Sequence, residues 1–339
     1  MVGREELYVA PPVGNGVVAP ATPPTFSVIV PCYQAADTVG DAVASVLGQT
    51  RPPHEVIVCD DGSTDAPAEA LAPYLDRIVF LSQENGGVAS ARNLGLRHAT
   101  GEFVVVCDAD DIYLPTLLEE LAALGSDRPD LDILCYDFFV EAEGAVLGRA
   151  RSDPASFVTD DQRVGILRED FVPGCSAFRR TRLLNEGGYD ESLRCAEDWD
   201  SWIRLILGGA AAGLVYLPLA QVRIRPGSLS ASLPRVLAGQ EAVLRKALSR
   251  PDLSTTERDA ARRHLAQVAP ARQLAQARDA IRDGTPAEIR RRCLPIVWGR
   301  GQGMPSRGKA LTAAAAPRLA QRRARREPAG DHRVGPLGA

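Results

Sequence analysis

Asp108, Asp110 and Asp111 follow directly on the apolar run Phe103-Val104-Val105-Val106-Cys107. Carboxylates crowded at the end of a buried strand repel one another unless a cation, or a ligand of that cation, joins them. Hard oxygen ligands of this kind hold a divalent ion, which commonly shares its coordination with a substrate phosphate. The plainer alternative is that they cap the turn that follows the strand. Two earlier apolar runs end in Pro31-Cys32-Tyr33-Gln34 and in Asp60-Asp61-Gly62-Ser63-Thr64-Asp65. Clusters at three strand ends within the first third of the chain point to a nucleotide pocket, because ligands of such sheets collect there.

The segments between these clusters carry the pattern of an α/β protein. Phe26 to Val30 is a continuous apolar run of the sort that forms a strand covered on both faces. Asp37 or Thr38 is positioned to cap a helix with apolar Val39, Ala42, Val43, Val46 and Leu47, and Arg51-Pro52-Pro53 ends it. Glu55 to Cys59 and Ile78 to Leu81 read as strands, Val88 to Ala99 as a helix, and Phe103 to Cys107 as a fourth strand. That alternation implies parallel βαβ units with right-handed crossovers. After Leu114 the pattern loosens. Ile133 to Val140 reads as a strand, 141–160 as a variable excursion, and Glu186-Gly187-Gly188-Tyr189-Asp190 as a turn. Glu197 to Leu207 is a helix carrying Trp199, Trp202 and Arg204.

Residues 1–24, rich in Pro and Gly, read as a flexible leader without a signal-peptide apolar core. The domain proper runs over 25–232, a helical extension over 233–295, and a basic, disordered tail over 296–339. Leu205 to Ala220 is uncharged, but Gly208, Gly209 and Gly213 interrupt it and it is too short to cross a bilayer. The net charge of -4 hides an asymmetry: from Arg235 onward there are 22 Lys+Arg against 9 Asp+Glu. The acidic front argues against nucleic acid as a partner, since phosphate neutralisation needs clustered cations. The basic C-terminal part is either a solvated helical surface or a contact for anionic lipid, an acidic partner or the acidic front half itself. The seven cysteines show no metal-type spacing and read as reduced thiols of a cytoplasmic protein, at most peripheral on the inner face of a membrane.

Five motifs, in this order, resemble the inverting family 2 glycosyltransferases of the GT-A fold. They are Ser27 to Gln34, Val58 to Asp65, Asn85-Gly86-Gly87-Val88-Ala89-Ser90-Ala91-Arg92-Asn93, Asp108-Ala109-Asp110-Asp111, and Ala196-Glu197-Asp198-Trp199-Asp200. The resemblance covers about residues 26–232 and implies a doubly wound, mostly parallel sheet flanked by helices. It also implies transfer of a sugar from a nucleotide-sugar donor, most simply a UDP-sugar, to an acceptor hydroxyl, aided by Mg2+ or Mn2+. The acceptor is a glycan, a lipid-linked carrier or a small molecule. Two positions depart from the family pattern. Gln34 stands where Asn is usual, and Arg225 stands in Arg223-Ile224-Arg225-Pro226-Gly227-Ser228 where a His often precedes Pro-Gly-Ser. Arginine cannot coordinate a cation but grips a diphosphate bidentately, so metal dependence is expected to be weaker than usual.

By the same resemblance Asp110 is the metal ligand, and Asp108, with Ala109 beside it, contacts the donor ribose or the metal. Asp61 and Asp60 face the nucleotide, Asp61 accepting an imide N–H, with Pro31 and Tyr33 alongside the base. Arg92 reaches the base or the diphosphate. Asp198 is the general base, next to Glu197, and Trp199 faces an acceptor sugar. Each assignment has a structural competitor. Tyr33, Trp199 and Trp202 could pack a core; Asp60, Ser63 and Asp65 could serve turn and cap chemistry. Arg92 could form a structural salt bridge, and Glu197 and Asp198 could be an acidic first turn that suits a helix dipole. Two other functions stay open: a sugar-nucleotidyltransferase, and an inactive nucleotide-sugar-binding or scaffold protein. The first would normally carry a glycine-rich loop after the opening strand, and Pro31-Cys32-Tyr33-Gln34 is not one.

Overall fold

The computed structural model describes residues 7–12, 22–142, 144–151, 153–225, 232–298 and 304–324. The chain divides into two compact units, one ending at Arg225 and the other beginning at Pro226.

In chain order the first unit contains strand β1 (Tyr8–Val9), strand β2 (Phe26–Cys32), helix α1 (Ala36–Leu47), strand β3 (Glu55–Asp60) and the short helix α2 (Pro67–Ala70). Then come β4 (Val79–Ser82), α3 (Val88–His98), β5 (Phe103–Val106), β6 (Ile112–Tyr113) and α4 (Leu117–Asp127). Next are β7 (Ile133–Ala142), β8 (Ala145–Arg149), α5 (Gln162–Arg168), β9 (Ala177–Arg179), α6 (Arg180–Asn185), α7 (Glu197–Leu207) and β10 (Ala212–Ile224). The sheet runs β1-β10-β7-β9-β5-β2-β3-β4, with β6 against β10 and β8 against β7. Strand β2 pairs parallel with both β3 and β5, and β3 with β4, as alternating strands and helices require. Beyond β5 the sheet becomes mixed: β9 is antiparallel to β5 and β7, and β7 is parallel to β10.

The apolar runs make these strands for the expected reason. Val28, Val30, Val58 and Val105 are fully buried, with Val39, Val43 and Val46 of α1 and Leu117, Leu118 and Leu121 of α4 in the same core. Burying each such side chain contributes about 1.5–3 kcal/mol. Helix α3 lies close on the sheet at Gly95, where an added Cβ would meet Ile29 Cγ2 at 2.6 Å. Register then aligns the functional ends. Cys32 pairs with Asp60 and Ile29 with Val106, so the motifs emerge along one edge. Ile29 turns its carbonyl to β5, accepting from Cys107 N at 2.9 Å. Pro31 has the same parity and points its missing N–H past the end of that strand, where no ladder bond is owed.

Two details differ from the sequence reading. Helix α1 begins at Ala36 and is capped neither by Asp37 nor by Thr38; instead Asp65 Oδ2 accepts from Ala36 N at 2.8 Å. A cap delivered from another loop leaves no local signal. Tyr8 and Val9, placed in the leader, form an edge strand antiparallel to β10, with Tyr8 opposite Val215. Residues 1–6 and 13–21 of that leader lie outside the described residues.

The second unit is helical: α8 (Leu233–Leu248), α9 (Thr255–Asp283), α10 (Pro286–Trp298), α11 (Met304–Ala315) and α12 (Pro317–Ala324). Ser254 and Glu257 close a capping box at the start of α9. Ala277, Ile289, Cys293, Ile296, Ala310, Ala313 and Ala314 form a small core. Helix therefore continues well past residue 296, where the sequence reading began a disordered tail, and 325–339 lie outside the described residues. No described helix is long and apolar enough to cross a membrane. Five of the seven cysteines, Cys32, Cys59, Cys107, Cys135 and Cys293, are buried.

Candidate functional site

Arg92 joins three motifs that are far apart in sequence. It sits in the second turn of α3, almost fully buried, and its two Nη groups diverge. Nη1 donates to Glu197 Oε1 at 2.7 Å and Nη2 to Asp108 Oδ1 at 3.1 Å. The guanidinium also lies over the Tyr189 ring, 5.6 Å from its centroid. Burial alone would lower the Arg92 pKa, but Asp108 and Glu197 outweigh it and raise the pKa further. The salt-bridge reading of Arg92 is realised in the structure, with Glu197 and Asp108 as its partners. Asn93 holds the turn beneath it, donating to Tyr189 O at 2.9 Å and Glu191 Oε1 at 2.8 Å and accepting from Tyr189 N at 2.8 Å.

Glu197 and Asp198 open α7 after Ala196, which adopts a left-handed φ of 62°. A non-glycine residue in that region is strained and persists only where its surroundings impose it. Burial, opposed by Arg92 and reinforced by Asp198, pushes Glu197 up to about 7. Asp198 Oδ1 accepts from Trp199 N at 2.8 Å. Its other oxygen lies against Gly174, where any Cβ would collide with it. Trp199 and Trp202 are fully buried, and Trp199 Nε1 donates to Ile166 O at 3.0 Å. Trp199 is therefore core, which corrects its assignment to an acceptor sugar.

At the β3 end, Asp61 is 2% exposed and already engaged. Its Oδ1 accepts from Gln83 Nε2 at 2.7 Å and Gly86 N at 2.9 Å, and its Oδ2 from Gly87 N at 2.8 Å. The carboxylate shapes the loop that leads into α3. Asp60 accepts from Ser63 N and Ser82 Oγ, both at 3.0 Å, which is turn chemistry. Gln34, in left-handed backbone at φ 51°, clasps the same loop through Thr64 and Ser63. Tyr33 is 53% exposed at the end of β2, so it does not pack a core and offers a free aromatic face.

Asp108 and Asp110 stay partly open, with side chains 46% and 28% exposed, while Ala109 between them is buried. Asp110 is raised by burial and by Asp108, and lowered by Arg225, whose Nε lies 3.6 Å from Asp110 Oδ2. Asp111 is buried, its pKa raised by burial and by both neighbouring acids, and it accepts from Arg223 N at 3.0 Å. It belongs to the turn rather than to the open site. Among the described residues no three His, Cys, Asp or Glu side chains gather closely enough to hold a metal. Asp108 and Asp110 thus suit an ion whose remaining ligands come from outside the chain, as with Mg2+ or Mn2+ on a diphosphate.

Sequence reasoning passed over Asp170 and Gly174. Asp170 carries a buried carboxylate oxygen without a partner, and its pKa is raised by burial and then by Asp198. The signal available was the Pro173-Gly174 turn signature between a helix and a strand.

A model of the family described as glycosyl transferase family 2 matches residues 27–186. The succinoglycan biosynthesis protein ExoU of Rhizobium meliloti is 32% identical over 266 residues, covering 72% of this chain and 75% of its own length. Against several curated relatives, uncharacterized glycosyltransferases of Rickettsia species, the chain spans only 27% to 59% of their length. Among solved structures, S. aureus TarS 1-349 in complex with UDP-GlcNAc superposes with a TM-score of 0.60 at 19% identity, over 86% of this chain and 91% of that one. The mannosyltransferase PcManGT of Pyrobaculum calidifontis, in complex with GDP-Man and Mn2+, gives 0.58 at 21% identity, over 90% and 88%. At such identities the likeness is one of fold. With the five motifs in register on this sheet and a relative at 32% identity along most of its length, the chain belongs to glycosyl transferase family 2.

Proposed function

We propose that the protein is an inverting glycosyltransferase that moves a sugar from a nucleotide-sugar donor, a UDP-sugar, to an acceptor hydroxyl. The observation that carries this reading is the Arg92 bridge, which ties Asp108 at the β5 end, two residues before Asp110, to Glu197 at the start of α7. It sets Asp108 and Asp110, the groups for a donor diphosphate, within one side chain's reach of the helix turn that bears Asp198. Tyr33 gives the base an exposed ring to lie against.

In the reaction, Asp198 accepts the acceptor hydroxyl's proton as that oxygen bonds to the anomeric carbon. The bond from that carbon to the β-phosphate oxygen breaks, and the nucleoside diphosphate leaves with the electron pair. Attack from the face opposite the leaving group inverts the centre. Asp110 and Asp108 would hold Mg2+ or Mn2+, which when bound offsets the charge growing on the diphosphate; the mannosyltransferase neighbour binds Mn2+. Arg225 adds a positive charge there. The acceptor is a glycan, a lipid-linked carrier or a small molecule, met in the cytoplasm, with the basic C-terminal helices touching the inner face of the membrane.

A thermal-shift series with UDP, GDP and CDP, each with and without Mn2+, tests the reading. A ligand at a hundredfold its Kd stabilises the native state by about 2.7 kcal/mol, so UDP should raise Tm by several degrees. No shift with any nucleoside diphosphate would sink it.

A further inference from the structure

Two arginines answer the two open carboxylates, and they are built differently. Arg92 is buried, bonded at both Nη groups and seated over Tyr189. Arg225 sits just past the end of β10, its side chain is 37% exposed, and its nearest approach to Asp110 is Nε to Oδ2 at 3.6 Å, beyond hydrogen-bond length. Its guanidinium makes no hydrogen bond and no other ion pair among the described residues. A half-exposed pair of this length holds weakly and exchanges easily. A diphosphate is the stronger partner: it carries more charge, and its paired oxygens match the two-pronged donor face of a guanidinium.

We propose that Arg225 is an exchangeable counter-ion. In the free protein it neutralises Asp110; when the donor arrives it passes to the donor diphosphate and releases that carboxylate to ligate a divalent ion. The inference rests on the donor-binding reading above and adds an order of events to it. Without donor, the protein is a poor metal binder for two reasons: among the described residues only Asp108 and Asp110 offer ligands here, and Asp110 is already paired. With donor, both obstacles fall together. Metal and nucleotide therefore bind synergistically, and the donor retains affinity when the metal is withheld.

The test measures Mn2+ binding by the electron paramagnetic resonance signal of free Mn2+, on the full chain and on Arg225→Gln, with and without UDP. UDP affinity in EDTA is measured in parallel by calorimetry. Arg225→Gln should bind Mn2+ alone about 2- to 5-fold more tightly, because a competing pair worth little has gone. It should bind UDP in EDTA about 10- to 100-fold more weakly, because a charge-assisted contact is lost. Arg225→Lys, which keeps the charge but not the fork, should fall between. A merely structural arginine would move both affinities in the same direction, so opposite signs are diagnostic. Unchanged or weaker Mn2+ binding in Arg225→Gln overturns the proposal, and so does unchanged UDP binding in EDTA. Should wild type bind no nucleoside diphosphate at all, the donor reading fails, while the Mn2+-only comparison still decides whether Arg225 occupies Asp110.

Discussion

Between Glu197 and Asp108 the Arg92 guanidinium brings one positive charge to two carboxylates, with Asp198 close behind. Glu197 bears the cost, since it is buried and lifted to about 7 despite its 2.7 Å bond to Arg92. An acid whose folded pKa is raised stabilises the fold at pH below its unfolded value of 4.5, and that contribution is lost as pH rises toward 7. Glu197→Gln removes the titration. Its stability relative to wild type, measured by urea unfolding at pH 5 and pH 7.5, should therefore improve with rising pH; a constant difference would show that Glu197 does not titrate in this range. Asp198→Asn should keep UDP affinity and lose transfer by about 10²- to 10⁴-fold, the span of general-base catalysis. Turnover like that of wild type would remove Asp198 from its role. The single-residue reading that failed, Trp199 facing an acceptor sugar, failed for a definite reason. A motif names a neighbourhood, but whether a side chain faces inward depends on what packs over it.

At the scale of elements, the Asp198 carboxylate is held from two sides, one oxygen by the Trp199 N–H of its own helix and the other against Gly174 of a separate segment. Ala196 in left-handed backbone turns the chain into α7, and Gly174 leaves room for the Asp198 carboxylate. Gly174→Ala should displace that carboxylate and lower kcat by about tenfold to a hundredfold, since misplacement of about 1 Å costs on that order. Donor KM should change little; an unaltered kcat would mean the base is placed by other contacts. Strand ends were legible from sequence because an apolar run stopping at acids is a one-dimensional signal. Asp65 capping α1 from across the β2–β3 edge, and antiparallel β9 inserted between β5 and β7, were not legible, because each depends on a partner remote along the chain.

For the whole molecule, the charge division visible in the sequence persists in the structure as a difference between units. The helical unit carries exposed Arg290, Arg291, Arg292, Lys309 and Arg318, and exposed Leu294, Leu311 and Leu319. Cations and leucines together suit an anionic lipid surface, each basic residue near the headgroups contributing about 1 kcal/mol. Full-length protein should co-sediment with vesicles containing anionic lipid at low salt and be released by about 0.5 M salt, beyond which screening is nearly complete. Absence of binding at low salt would leave this surface merely solvated. The α/β class and the order of its motifs were readable in advance. The extent of helix beyond residue 296 was not, because Ala- and Arg-rich segments scattered with Gly and Pro give no clear period.

Tyr8 and Val9 lie along the outer margin of β10, a strand of 13 residues whose other margin is taken by β7. Trimming the chain to residue 24, an obvious step toward crystals for anyone who regards its opening as dispensable, would bare that flank's amides and carbonyls. Unprotected strand flanks recruit one another. The shortened protein should consequently run as oligomers in size-exclusion chromatography and precipitate at lower concentration than the intact chain, with its catalytic groups untouched.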